Sequence, residues 1–193
     1  MNEKTKQQGR RLLRPLVSLL AAMDVSPTAV TLLALPLSLG AGYFFATGQF
    51  MVGGALAAVV GLCDTLDGEL SRRTGTSSAL GAFIDSTVDR LSESFILIGC
   101  YWYYRDSWYG LLAVVALVFS LMVSYVRARA EGVGRECKVG FFERPVRVLV
   151  FLFGAFVLGR TWMPAALGAI ALGSFVTVIH RIIHVLAQRS PAS

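Results

Sequence analysis

At 193 residues and 55% hydrophobic, with a mean hydropathy of +0.63, the chain is too apolar for a soluble domain. A net charge of +6 would suit nucleic acid, but the basic residues collect on one side of the apolar segments, which excludes that partner. The basic, polar start is unlike a cleaved signal peptide.

Taken in order, residues 1–24 form a basic amphipathic helix lying in the membrane interface. Lys4, Lys6, Arg10, Arg11 and Arg14 stand there among Leu12, Leu13, Leu16, Leu19 and Leu20. Residues 25–193 form one all-α integral membrane domain of about six transmembrane helices, at roughly 20 residues per span. Ser26 and Pro27 start the first span as N-cap and first helical residue. The spans are expected near 28–46, 51–70, 80–103, 108–126, 145–158 and 163–186. A polar loop follows the second span, and a basic loop with Gly132, Gly134 and Gly140 follows the fourth. Gly159, Arg160 and Thr161 are expected to turn the chain before the last span. Tyr101 to Tyr104 read as an interfacial aromatic belt.

Basic residues set the orientation. The N-terminal five, Arg72 and Arg73, the cluster from Arg127 to Arg147, and Arg181 and Arg189 lie on one side; only Arg105 and Arg160 lie on the other. The positive-inside rule places both termini and the basic loops in the cytoplasm. Cys63, Cys100 and Cys137 lack CxxC or Cys/His spacing and read as packing residues.

Four aspartates interrupt the second and third spans, where an ionisable side chain is costly and marks function. Asp64 and Asp67 are i, i+3, and Asp85 and Asp89 are i, i+4, so each pair shares a helix face. Four carboxylates cannot all stay ionised in an apolar bundle without cations. Two such faces opposed make a cage of oxygens suited to Mg²⁺ or Mn²⁺. The competing structural reading is an ion-pair network with Arg72 and Arg90. Glu69 is left outside the cage. Arg90 and Glu93, at i, i+3, are expected to pair with each other, and Arg144 to pair with Glu143 or lipid headgroups. His180 and His184 have ligand spacing but no third partner nearby.

The run Asp64-x2-Asp67-Gly68-x2-Ser71-Arg72-x8-Gly81-x3-Asp85-x3-Asp89 resembles the signature of the CDP-alcohol phosphotransferase family. Ser71 stands where alanine is usual, a small-for-small change. Ser26 to Thr31 resembles the family's element before the first span, with Thr28 where asparagine is frequent. The segments 124–131 and 140–147 resemble the branch that makes phosphatidylinositol phosphate or its archaeal counterpart. The resemblance implies attack by an alcohol hydroxyl on the β-phosphorus of a CDP-linked lipid such as CDP-diacylglycerol, with release of CMP. It implies that Asp64, Asp67 and Asp85 hold one divalent ion and that Asp85 and Asp89 help hold a second, with Asp89 as general base. It places Thr31, Gly68, Arg72, Ser78 and Gly81 near the nucleotide and pyrophosphate, and suggests a homodimer.

The chemistry of those residue types agrees. Phosphoryl transfer needs positioning and charge neutralisation, which paired ions supply, and Arg72 can grip phosphate bidentately. Arg129, Arg147 and Arg181, with Arg127, could converge on a phosphorylated acceptor such as inositol phosphate, the alternative being glycerol phosphate. The competing reading for these arginines is topology plus anionic lipid contact. Two further classes are a small divalent-cation transporter, which would usually show inverted repeats, and a prenyl-transferring membrane enzyme, which needs more spans than the length allows.

Overall fold

The computed structural model describes residues 3–188, with side chains from residue 13 onward. The expectations for the side chains of Lys4, Lys6, Arg10, Arg11 and Leu12, and for Arg189, lie outside that range. Among the described residues the fold is all helix: α1 (Glu3–Ala22), α2 (Pro27–Ala46), α3 (Phe50–Thr74), α4 (Ala79–Tyr104), α5 (Tyr109–Gly132), α6 (Arg144–Phe153), a π-helical turn (Gly154–Leu158) and α7 (Gly159–Ala187). Among the described residues, four segments are long and apolar enough to cross a membrane: Pro27–Ala46, Phe50–Thr74, Tyr109–Gly132 and the run Arg144–Ala187. α4 has the length, but Asp85, Asp89, Arg90 and Glu93 break its apolar run.

The helix ends follow local chemistry. Ser26 caps α2, its hydroxyl accepting from the Ala29 N–H at 3.2 Å, and Pro27 opens the helix. Ser78 caps α4 in the same way, accepting from the Gly81 N–H at 3.0 Å. α3 stops at Gly75, whose φ of 68° is the left-handed conformation that glycine adopts without penalty.

Two boundaries differ from expectation. α5 continues past Val126 to Gly132, because Arg127 and Glu131 pair at i, i+4 (2.9 Å) and support another turn. The break before the last helix lies in the π turn and at Gly159 (φ 61°), so Arg160 and Thr161 are already helical.

α2 packs against both α3 and α4. It meets α4 where Gly42 and Gly99 face each other: a Cβ on Gly99 would lie 2.1 Å from the Gly42 carbonyl oxygen. Small residues allow this backbone approach between apolar helices. The main core joins Phe45, Phe50, Tyr104 and Phe151 with small residues of α5 and α7. The Phe45 ring meets Phe50 and Phe151 edge-on, at centroid separations of 5.3 and 5.2 Å. A second core, beneath the acidic residues, joins Val17 of α1 to Val30, Val60, Leu66, Leu70 and Val88. All three cysteines are free and buried, as packing residues should be.

Candidate active site

The close crossing of α2 with α4, and the packing of α3 against α2, bring three acids together. Asp64 and Asp67 come from α3, Asp85 from α4. Each offers a carboxylate oxygen, and these atoms all lie within 4.8 Å of one another. Asp67 is buried, and its Oδ2 accepts a 2.5 Å hydrogen bond from the equally buried Thr31 hydroxyl of α2. Oδ1 of Asp85 is buried and has no hydrogen-bond partner among the described residues. Orphaned buried carboxylate oxygens are costly. Three hard oxygen donors this close together fit a divalent cation.

Asp89 stands outside this trio. Arg144, the first residue of α6, bridges two acids: Nη1 lies 2.7 Å from Oδ1 of Asp64, and Nη2 lies 2.7 Å from Oδ1 of Asp89. Arg144 therefore faces the acids, not Glu143 or the lipid. That contact joins residues far apart in the chain, which spacing does not reveal. Asp64 faces two ways, toward the trio and toward Arg144. The predicted Arg90–Glu93 pair is not formed. Arg90 instead donates to the Ser86 carbonyl and lies 4.0 Å from Asp89. Glu93 takes Arg147 bidentately, at 2.9 and 3.0 Å. A planar fork across two helices beats an i, i+3 contact along one.

Beside the trio opens a cavity of about 540 Å³, within the range of small-molecule sites. Thr31, Gly68, Ser78 and Gly81 line it with Asp67 and Asp85, as does the turn between α1 and α2 from Asp24 to Thr28. Arg72 is not among its lining residues; it is about half exposed and pairs with Glu69 at 2.8 Å. Sequence reasoning did not point to Asp24, a non-glycine residue with φ of 53° at the cavity wall.

The remaining arginines divide. Arg127 and Arg129 are exposed on the last turns of α5, with Arg127 held by Glu131. Arg147 and Arg181 are each only 2% exposed. Besides Glu93, Arg147 donates to the Phe142 carbonyl at 3.1 Å. Arg181 donates to the carbonyls of Val139 (2.8 Å) and Val123 (2.6 Å) and to Glu143 (3.3 Å). Both thus tie down the connection between α5 and α6, a role missed in the sequence.

Known proteins resemble this chain in sequence and in fold. The CDP-alcohol phosphatidyltransferase model matches residues 24–185. The chain is 37% identical over 190 residues to the archaetidylinositol phosphate synthase of Methanothermobacter thermautotrophicus, covering 96% of each. Its fold is similar to the crystal structure of Mycobacterium tuberculosis phosphatidylinositol phosphate synthase with CDP-DAG bound: TM-score 0.84, 27% identity, 94% of this chain and 100% of that one. The same enzyme in complex with manganese and citrate matches with a TM-score of 0.83 and 27% identity, over 92% of each chain. With the family model covering most of its length, the chain belongs to the CDP-alcohol phosphatidyltransferase family.

Proposed function

We propose that this protein is a divalent-metal-dependent membrane enzyme that transfers the lipid phosphate of a CDP-linked lipid to a hydroxyl of inositol phosphate. The acceptor oxygen attacks the β-phosphorus, the bond to CMP breaks, CMP leaves and a phosphodiester lipid forms. The observation that carries this reading is the three-acid cluster, with its orphaned Asp85 oxygen, opening into a cavity of about 540 Å³. The names of the relatives support the acceptor.

In this reading Asp64, Asp67 and Asp85 hold one Mg²⁺ or Mn²⁺, and Asp85 with Asp89 a second. Bound there, such ions supply charge neutralisation for the pyrophosphate and the leaving CMP. The chain's own residues do the rest. Thr31 fixes the rotation of Asp67. Gly68, Ser78 and Gly81 wall the nucleotide cavity, and Arg72 reaches a phosphate once it leaves Glu69. Asp89 takes the acceptor hydroxyl proton. Arg129 and Arg127 meet the acceptor phosphate. Arg147 and Arg181 fix the connection around it; a guanidinium has five N–H groups, so each keeps donors beyond those given to the protein.

The same reading has six spans with α1 in the interface, both termini and the site in the cytoplasm, and a homodimeric assembly. The positive-inside distribution supports the orientation.

The test is CMP release by the purified protein, with diacyl and ether CDP-lipids and a panel of alcohols. Inositol phosphate should be preferred over glycerol 3-phosphate, inositol and serine, and Asp85→Asn should abolish turnover. Near-normal turnover by Asp85→Asn would refute the assignment, and equal use of free inositol would refute the acceptor.

A further inference from the structure

The contact left unused by this mechanism is the fork of Arg144. Asp64 and Asp89 sit on different helices, partly buried, and carry like charges that an apolar bundle does not tolerate unpaired. One guanidinium meets both at 2.7 Å, one Nη group to each. A planar two-pronged cation does this with a separate nitrogen for each acid, where a lysine would have to meet both from one point charge. The only other cation near Asp89 among the described residues, Arg90, lies at 4.0 Å and also donates to the Ser86 carbonyl.

Asp64 is also one corner of the trio. A doubly charged ion held by the trio would therefore lie against the same carboxylate that holds the guanidinium. Cations so close repel strongly in a partly buried site. The guanidinium has somewhere to go. Arg144 lines a second cavity of about 50 Å³, walled by Ser92, Glu93, Arg147 and apolar residues of α3, α4, α6 and α7. That volume accommodates a few water molecules. The hydroxyl of Ser92, a residue 1% exposed, has no hydrogen-bond partner among the described residues, and the Glu93 carboxylate beside it, already forked by Arg147, keeps a second lone pair on each oxygen.

We propose that Arg144 is a built-in counter-cation: it holds Asp64 and Asp89 in the metal-free chain and yields them as divalent ions bind, turning toward Ser92 and Glu93. Loading of the acidic cluster and release of Asp89 are then one event. Arg144 is a positioning residue, acting through the two acids. The inference rests on the divalent-metal reading above.

The experiment measures Mn²⁺ binding by the intact protein in detergent, from the electron paramagnetic resonance signal of free Mn²⁺, alongside thermal unfolding in EDTA and in Mn²⁺. Arg144→Gln removes the competing charge. It should bind Mn²⁺ roughly tenfold or more tighter than wild type, unfold at lower temperature in EDTA, and recover most of that loss in Mn²⁺. A merely structural arginine would lower the unfolding temperature equally in both and leave Mn²⁺ affinity unchanged or weaker, and either affinity result overturns the proposal. Arg144→Met, which also removes the charge, decides the matter if the glutamine variant does not fold: tighter Mn²⁺ binding supports the proposal, equal or weaker binding overturns it. Asp85→Asn separates this from the parent reading. If wild type binds no Mn²⁺, or Asp85→Asn binds it as well as wild type, the metal site itself is wrong. If Asp85→Asn loses binding while the Arg144 variants gain none, only the counter-cation fails.

Discussion

Replacing Thr31 with valine deletes one hydroxyl and keeps the shape of the side chain. Two acceptors compete for that single proton. Oδ2 of Asp67 lies at 2.5 Å and the Pro27 carbonyl at 3.1 Å. The shorter contact to the group that can carry charge wins, since hydrogen bonds to ionised acceptors are both shorter and stronger. Thr31 and Asp67 are 6% and 5% exposed, so water cannot take over the lost bond without rearrangement. A buried bond to a charged group is worth about 1.5–3 kcal/mol. If that energy keeps the Asp67 carboxylate turned toward Asp64 and Asp85, its loss weakens Mn²⁺ binding by roughly 10- to 100-fold, as for other groups that orient metal ligands. Titration of Mn²⁺ against Thr31→Val, followed by the free-ion resonance signal, measures this directly. Thr31→Ser restores the hydroxyl and should bind within a few fold of wild type. A valine variant within about twofold of wild type, ~0.4 kcal/mol, would show that the hydroxyl does not orient the acid.

Arg147→Met should lower stability by about 3–5 kcal/mol, because it strands Glu93 in a mostly buried site; the double variant with Glu93→Leu should regain much of that in thermal unfolding, and no regain would mean the pair is not coupled. Gly99→Ala should force α4 away from the Gly42 carbonyl, costing about 1–3 kcal/mol and weakening Mn²⁺ binding, because Asp85 rides on α4. Gly168→Ala, where an added Cβ meets nothing within 4 Å, should leave the unfolding temperature unchanged or higher and serves as its control.

What could be read in the chain was what lies close along it. Asp64 and Asp67 share a face of α3 by spacing alone, and the cost of such acids in an apolar segment signals that something must hold them. The cap at Ser26 is equally local. What failed was long-range pairing. Arg90 and Glu93 are neighbours on one helix face, yet Glu93 turns to Arg147, a partner 54 residues away, since the bidentate fork satisfies both carboxylate oxygens. Arg144 could be seen as one more basic residue of a cytoplasmic loop until α6 was placed against α3 and α4. The π turn was invisible because its residues, Gly154 to Leu158, are as apolar as the helices they join.

The misread pairings have one physical origin, and it bears on how the site works. In an apolar bundle every ion must be answered by a polar partner, and the answers come from whichever helix packs nearest. Asp67 is answered by a hydroxyl from α2, Glu93 by an arginine from α6, and Asp64 and Asp89 by another from α6. One oxygen of Asp85 is answered by none of the described residues. A structural network of ion pairs would close on itself and leave no such atom. A network left open at one carboxylate, beside a cavity of the size small-molecule sites have, is the arrangement expected when a bound cation completes it.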